Sequence, residues 1–191
     1  IYKLKWRELG FNGELTRIMV RIGLPSAIQQ ALVSVGSSVL SKIVNSYGVA
    51  ATSAFGAASR VDSFAFMPSM SIQLATAAQV GQNMGAGKEE RVKEVVFWAS
   101  LLSAGITLLF SLVAFFFPEA ILRLFLKSPE YLQIGVDYLG ILSFAYIAFS
   151  LMFVTNGVMN GAGDTFATMI FSLITLWFLR LPLAYFFAKG L

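Results

Sequence analysis

The sequence contains no cysteine and no histidine, and only 13% of its residues are charged. Without Cys there is no thiol nucleophile and no disulfide, and without either residue there is no common transition-metal site. Without His there is no imidazole base for proton transfer. A soluble domain carries about 25% charged residues, so this chain has too little charge to cover a water-facing surface. Hydrophobic residues reach 57%, and the mean hydropathy is +0.75. The natural solvent of such a surface is lipid. No cleavable apolar leader is visible at the start, and the first residue is Ile, which points to a piece of a longer protein.

The formal charge is +4. In a soluble protein that hints at nucleic acid. Here the basic residues cluster between long apolar blocks, as in loops that face anionic headgroups. Membrane lipid is therefore the expected partner and nucleic acid is not.

Five long windows are nearly free of charge. There are 20 uncharged residues between Arg21 and Lys42, 25 between Asp62 and Lys88, 24 from Val95 to Pro118 and 26 from Tyr138 to Gly163. After Asp164, Arg180 is the one charge before Lys189. A bilayer span needs roughly 20 mostly apolar residues. The fold class is therefore all-α and polytopic, with spans near 20–46, 52–81, 93–117, 136–159 and 166–188. The runs are too long and continuous for barrel strands. Residues 1–19 read as a juxtamembrane linker, in which Asn12 caps a short amphipathic turn. Ala120–Leu126 reads as a short interfacial turn of helix.

Eight basic residues fall on one side (Lys3, Lys5, Arg7, Arg17, Arg21, Lys88, Arg91 and Lys93) and three on the other (Arg123, Lys127 and Lys189). The positive-inside rule then predicts a cytoplasmic start, and an odd number of spans predicts an outside end. An odd count also fits part of a longer transporter, since transporters are commonly built from paired repeats.

The first span is unusually polar. Ser26, Gln30, Ser34, Ser37, Ser41 and Asn45 recur at intervals of three or four and share one helical face. Lipid penalises such a face, so it meets either another helix, as packing glue, or a water-filled cavity. In the fourth span Tyr146, Phe149, Phe153, Asn156 and Asn160 share a face. Ring faces attract cations by about 0.5–2 kcal/mol, so this stripe suits a flat cationic substrate, or else packs on neighbours. Lys42, Arg60, Asp62 and Arg180 are charges within spans. A central charge costs about 2.5–3.5 kcal/mol on insertion scales, and such residues are functional candidates. Arg60 and Asp62, two apart, face different ways. Asp62 is expected to pair with Lys42 or with a residue in a part of the protein outside this sequence. Pro25, Pro68 and Pro182 are expected bends and hinge candidates.

Gly81–Lys88 superficially resembles a phosphate-binding loop, but five residues rather than four separate Gly81 from Gly87-Lys88, and Glu89 follows. A helix end, a glycine turn and a charged restart explain it. Intramembrane catalysis would want paired acids, His or Cys. Glu94 and Asp137 stand at span ends, and Asp62 is the lone carboxylate deeper within a span, so no enzyme is expected.

Three stretches together resemble the multidrug and toxic compound extrusion (MATE) family. They are Gly23-Leu24-Pro25, the run from Gly56 through Arg60-Val61-Asp62-Ser63-Phe64-Ala65-Phe66-Met67-Pro68 to Gly87, and Gly157–Thr165 followed by Trp177 and Arg180-Leu181-Pro182. The resemblance implies a twelve-helix antiporter of two six-helix lobes, of which this chain would be most of the second. It implies export of organic cations and drugs in exchange for sodium or protons, in the cell membrane, with the first lobe as partner and no cofactor. Some members carry ion-coupling carboxylates on the first and fourth helices of this lobe. Here those windows contain no acid: Val33 and Phe149 stand in the matching regions. The coupling site is thus expected outside this chain, with Asp62 as the alternative. A flippase for lipid-linked sugars on a related scaffold is the rival function. It would need a strongly cationic cavity, for which Lys42, Arg60 and Arg180 are the available residues.

Overall fold

The computed structural model describes residue 10 and residues 12–190. Lys3, Lys5 and Arg7 of the predicted linker lie outside them. Among the described residues there is no strand. In order, the helices are α1 (Gly13–Asn45), α2 (Gly48–Gly85), α3 (Glu89–Phe116), α4 (Pro118–Leu122), α5 (Pro129–Gly161) and α6 (Thr165–Leu173). A π-helical segment (Ile174–Arg180) then leads into α7 (Leu181–Gly190). The five predicted spans correspond to α1, α2, α3, α5 and the continuous α6–α7 run. Each helix is longer than its apolar window, because helices continue past the hydrocarbon boundary until a cap or turn stops them.

The stops are chemical. The Asn12 side chain accepts from the backbone N–H groups of Glu14 and Leu15 at 3.0 and 3.2 Å. The expected cap is thus present, but it opens α1 itself rather than a separate turn. Asp164 does the same for α6, accepting from Ala167 N–H at 3.2 Å. Pro118 and Pro129 sit in the first turns of α4 and α5, where a missing N–H has no intrahelical partner to lose. Between α2 and α3 the chain turns at Gly87, whose φ of 68° suits a residue without Cβ. The turn reading of the Gly81–Lys88 segment therefore holds.

Four of the helical runs are long and apolar enough to cross a membrane: α1, α3, α5 and Thr165–Phe186. At 38 residues α2 has the length but is not among them. Its position explains this. α2 touches α1, α3, α4 and α5, so it spends less surface on lipid and carries Ser, Thr, Gln, Arg60 and Asp62 instead.

The helices form two groups. α2, α3 and α5 pack closely, and α1 packs chiefly against α6. In the first group the contacts are small and polar, as expected where lipid removes any hydrophobic drive between helices. Ala54, Ala57, Ala58 and Ala65 of α2 are buried. Gly157 and Gly161 of α5 bring that helix onto α2. A Cβ on Gly157 would lie 2.6 Å from the Gln73 carbonyl oxygen, and one on Gly161 2.5 Å from that of Ala77. Ser69 of α2 meets Thr107 at 3.0 Å and accepts from the Ser103 hydroxyl of α3 at 3.1 Å, all three fully buried. Ser111 of α3 donates to the Ser143 carbonyl of α5 at 2.7 Å. Larger apolar side chains such as Phe97, Trp98, Leu101 and Leu109 point outward.

Candidate functional site

Asp62 of α2 is tied to α5 by two side-chain hydrogen bonds. It lies one residue beyond the buried Val61, on the flank of α2 that faces α5. Tyr138 and Tyr146 of α5 stand eight residues apart and therefore share a face. The Tyr138 hydroxyl donates to Asp62 Oδ2 at 2.9 Å, and the Tyr146 hydroxyl donates to Oδ1 at 2.6 Å. Each carboxylate oxygen thus has its own donor.

This corrects the expected pairing with Lys42. Among the described residues, the ion pairs of Asp and Glu join Lys93 to Glu90 and Arg123 to Glu119. Lys42, Arg60 and Arg180 are all exposed in this chain. Arg60 faces away from Asp62, as their spacing requires, and its guanidinium carbon lies 5.9 Å from the Phe125 ring centroid. Long basic side chains can reach outward in this way; an aspartate cannot, and is satisfied where it stands.

The aromatic stripe of α5 divides. Tyr146 is fully buried, with its hydroxyl committed to Asp62, so it belongs to the packed interior and not to an open wall. Phe149 and Phe153 are half-buried and meet Phe66 of α2 at centroid distances of 5.4 and 5.9 Å. Phe66 also sits edge-on to Tyr146 at 5.3 Å. The stripe is thus largely an α2–α5 aromatic seam. Further along, Asn156 is half-buried, and Asn160 accepts from the Thr168 hydroxyl of α6 at 3.2 Å.

The polar face of α1 behaves differently. Gln30, Ser34, Ser37 and Asn45 are exposed, and Ser26 and Ser41 are half-exposed. Their hydroxyls do not reach a neighbouring helix. Ser26 donates to the Ile22 carbonyl, Ser34 to that of Gln30, and Ser41 to that of Ser37. Asn45 accepts from Thr52 at 3.1 Å, just across the turn into α2. The link from α1 to α6 comes from the adjacent residue, Gln29, whose amide donates to Ser172 Oγ at 2.6 Å and the Thr168 carbonyl at 3.4 Å. Gly36 then admits the Leu176 side chain.

Pro25 and Pro68 lie inside continuous helices. Pro182 follows directly on the π segment, where the helical bonding is locally widened before the residue that cannot donate. Of the three hinge candidates it is the one with altered helical geometry beside it. Near it, Val39, Lys42, Trp177, Leu181 and Pro182 border a cavity of about 720 Å³ between α1 and the α6–α7 run. The Trp177 indole N–H, buried beside it, has no hydrogen-bond partner among the described residues.

Sequence reasoning missed Tyr138, Phe66, Gln29 and the Ser69–Ser103–Thr107 group. Two signals were available. Ser103, Thr107 and Ser111 recur every four residues, and Gly157 and Gly161 form the small-xxx-small pattern of close helix crossings.

The comparison with known proteins completes the picture. The MatE family model matches residues 25–186. The chain belongs to the MATE family. It is 29% identical over 98% of its length to the probable multidrug resistance protein YpnP of Bacillus subtilis, covering 40% of that protein. It is 30% identical over 90% of its length to the probable multidrug resistance protein NorM of Thermotoga maritima, covering 37%. The multidrug resistance protein MdtK of Yersinia pseudotuberculosis is 26% identical over 93% of the chain, with 40% covered. The chain thus spans about 40% of the length of these relatives. MATE membership and the apolar helices make it part of a multi-pass membrane protein.

Proposed function

We propose that this MATE chain is one lobe of a secondary antiporter that exports organic cations and drugs in exchange for protons or sodium, by alternating access between two lobes. The face of α1 is the observation that carries the reading. The Ser26, Ser34 and Ser41 hydroxyls bond back to their own helix and link α1 to no neighbour, while Gln30, Ser34 and Ser37 stay exposed. That is poor packing glue and a suitable wall for a water-filled cavity. Phe149 and Phe153, half-buried beyond it, offer ring surface to a flat cation. The names of the relatives support drugs as the substrate class. The α1 face carries one cation at its far end, Lys42, so a pyrophosphate-binding flippase has no comparable support.

The test is drug resistance from the full protein containing this sequence, expressed in an efflux-deficient host. The unaltered protein should raise resistance to lipophilic cations. Ser34→Trp, which fills the open face without touching a packed contact, should abolish that gain with membrane abundance unchanged. Resistance that survives Ser34→Trp and Gln30→Leu would remove α1 from the cavity.

A further inference from the structure

A cavity of about 520 Å³ lies between α2 and the corner where the chain passes from α4 into α5. Ser53, Gly56 and Arg60 border it from α2, where their spacing of three and four residues puts them on one face. Lys127, Ser128 and Tyr131 close the other side. We propose that this cavity binds the phosphate headgroup of an anionic phospholipid, taken from the leaflet at this end of the lobe, with Arg60 and Lys127 as its cationic partners. No α1 residue borders the cavity, so the site is separate from the open α1 face and independent of what the protein exports.

The lining selects an anion. It offers two cations and three hydroxyls, and no carboxylate. Among the described residues, the Ser53, Ser128 and Tyr131 hydroxyls have no hydrogen-bond partner, and Lys127 joins no ion pair. Arg60 meets only the face of the Phe125 ring. Acids near the corner bond elsewhere: Glu119 to Arg123, Asp62 to its two tyrosines, and Asp137 to the Gln133 amide. Glu130 is exposed and lies outside the lining. Ser128 precedes α5 without capping it, so the first-turn N–H groups of Glu130 and Tyr131 have no side-chain acceptor, and that helix end adds partial positive charge. A phosphodiester supplies what this lining lacks, one negative charge spread over two acceptor oxygens. The planar guanidinium of Arg60 matches that geometry with paired donors.

The place in the fold selects a lipid over a soluble anion. The corner joins the end of α3 to the start of α5, so it sits where two spans leave the hydrocarbon. Around it Phe116, Phe117, Leu124 and Phe125 are exposed. Apolar side chains beside unpaired cations suit a molecule with acyl chains on one side and a charged head on the other. A soluble anion has no use for the apolar half of that surface.

The experiment uses the full protein, purified in neutral detergent and mixed with equal amounts of phosphatidylglycerol and phosphatidylcholine. Native mass spectrometry should find phosphatidylglycerol retained over phosphatidylcholine by at least about fivefold, on the scale of lipid attraction to basic side chains. Arg60→Gln combined with Lys127→Gln should remove that preference. Gly56→Leu should remove it too while every charge stays, because it fills the cavity from a position where an added carbon meets no atom within 4 Å. Lys42→Gln, at a cation bordering the other cavity, should keep the preference. Melting without lipid should be alike in all four proteins, which separates lost binding from lost folding. Equal retention of the two lipids by the unaltered protein, or a preference that survives both cavity variants, would overturn the proposal. Inorganic phosphate that raises the melting temperature as much as phosphatidylglycerol does would assign the cavity to a soluble anion and overturn the lipid. A Ser53→Cys thiol that resists a maleimide in lipid-free protein would show the cavity covered by another part of the full chain, with the same consequence.

Discussion

α1 and α5 are both 33 residues long and both cross the same lobe, yet they are used in opposite ways. None of the most apolar stretch of α1 is buried in this chain, against 28% of that of α5. The serines of α1 bond to their own backbone; Tyr138 and Tyr146 of α5 bond to a charge on another helix. The reason lies in the small residues. Gly157 and Gly161 let α5 approach the α2 backbone, and once two helices touch along their length their polar groups find each other. α1 meets α6 through Gln29 and the π segment through Gly36, and most of its face stays open. A tight trio beside a looser pair divides the work within the bundle. One part keeps its shape and the other presents a surface.

The largest test of that contrast fills a glycine in each helix. Gly161→Leu should destabilise by about 3 kcal/mol, the upper end for overpacking, because backbone and not a yielding side chain opposes it. Gly23→Leu on α1, with no atom within 4 Å of the added carbon, should leave the melting temperature of the purified protein unchanged. If both variants melt together, the two helices are packed alike and the contrast fails.

A smaller effect separates the bonds that join each group. Interhelical side-chain bonds in membranes average about 0.6 kcal/mol. Ser69→Ala removes two such bonds from the trio and should cost about 1 kcal/mol. Gln29→Leu loosens the pair and should cost about half that, with faster hydrogen exchange confined to α1 and α6. The smallest change is Ser38→Ala. Its hydroxyl returns to the Ser34 carbonyl one turn back, so denaturation should shift by under about 0.5 kcal/mol.

Much of the fold was legible beforehand. Charge-free windows located every long helix, since a residue costly in lipid leaves its mark by being absent. Their ends were less legible: α1 starts at Gly13 and α2 runs to Gly85, because a helix stops at a cap or a positive-φ glycine and not where hydropathy falls. Of the site, Asp62 was visible as an isolated acid, but its partners were not. Tyr138 and Tyr146 stand 76 and 84 residues away, and periodicity within a helix carries no information about which helix lies opposite. The aromatic stripe was legible as a spacing, and the seam with Phe66 came only from packing.

By itself the sequence determined that this chain lives in lipid, that its spans are helical, and that it brings no thiol or imidazole of its own. Those follow from composition, because the cost of charge and of unpaired backbone in a bilayer is local to each residue. The tertiary structure alone decided that Asp62 belongs to two tyrosines, that the α1 face stays open, and that α2 is shielded by its neighbours. Those are properties of contacts, and a contact depends on how closely two backbones approach, which here the glycines of α5 settle.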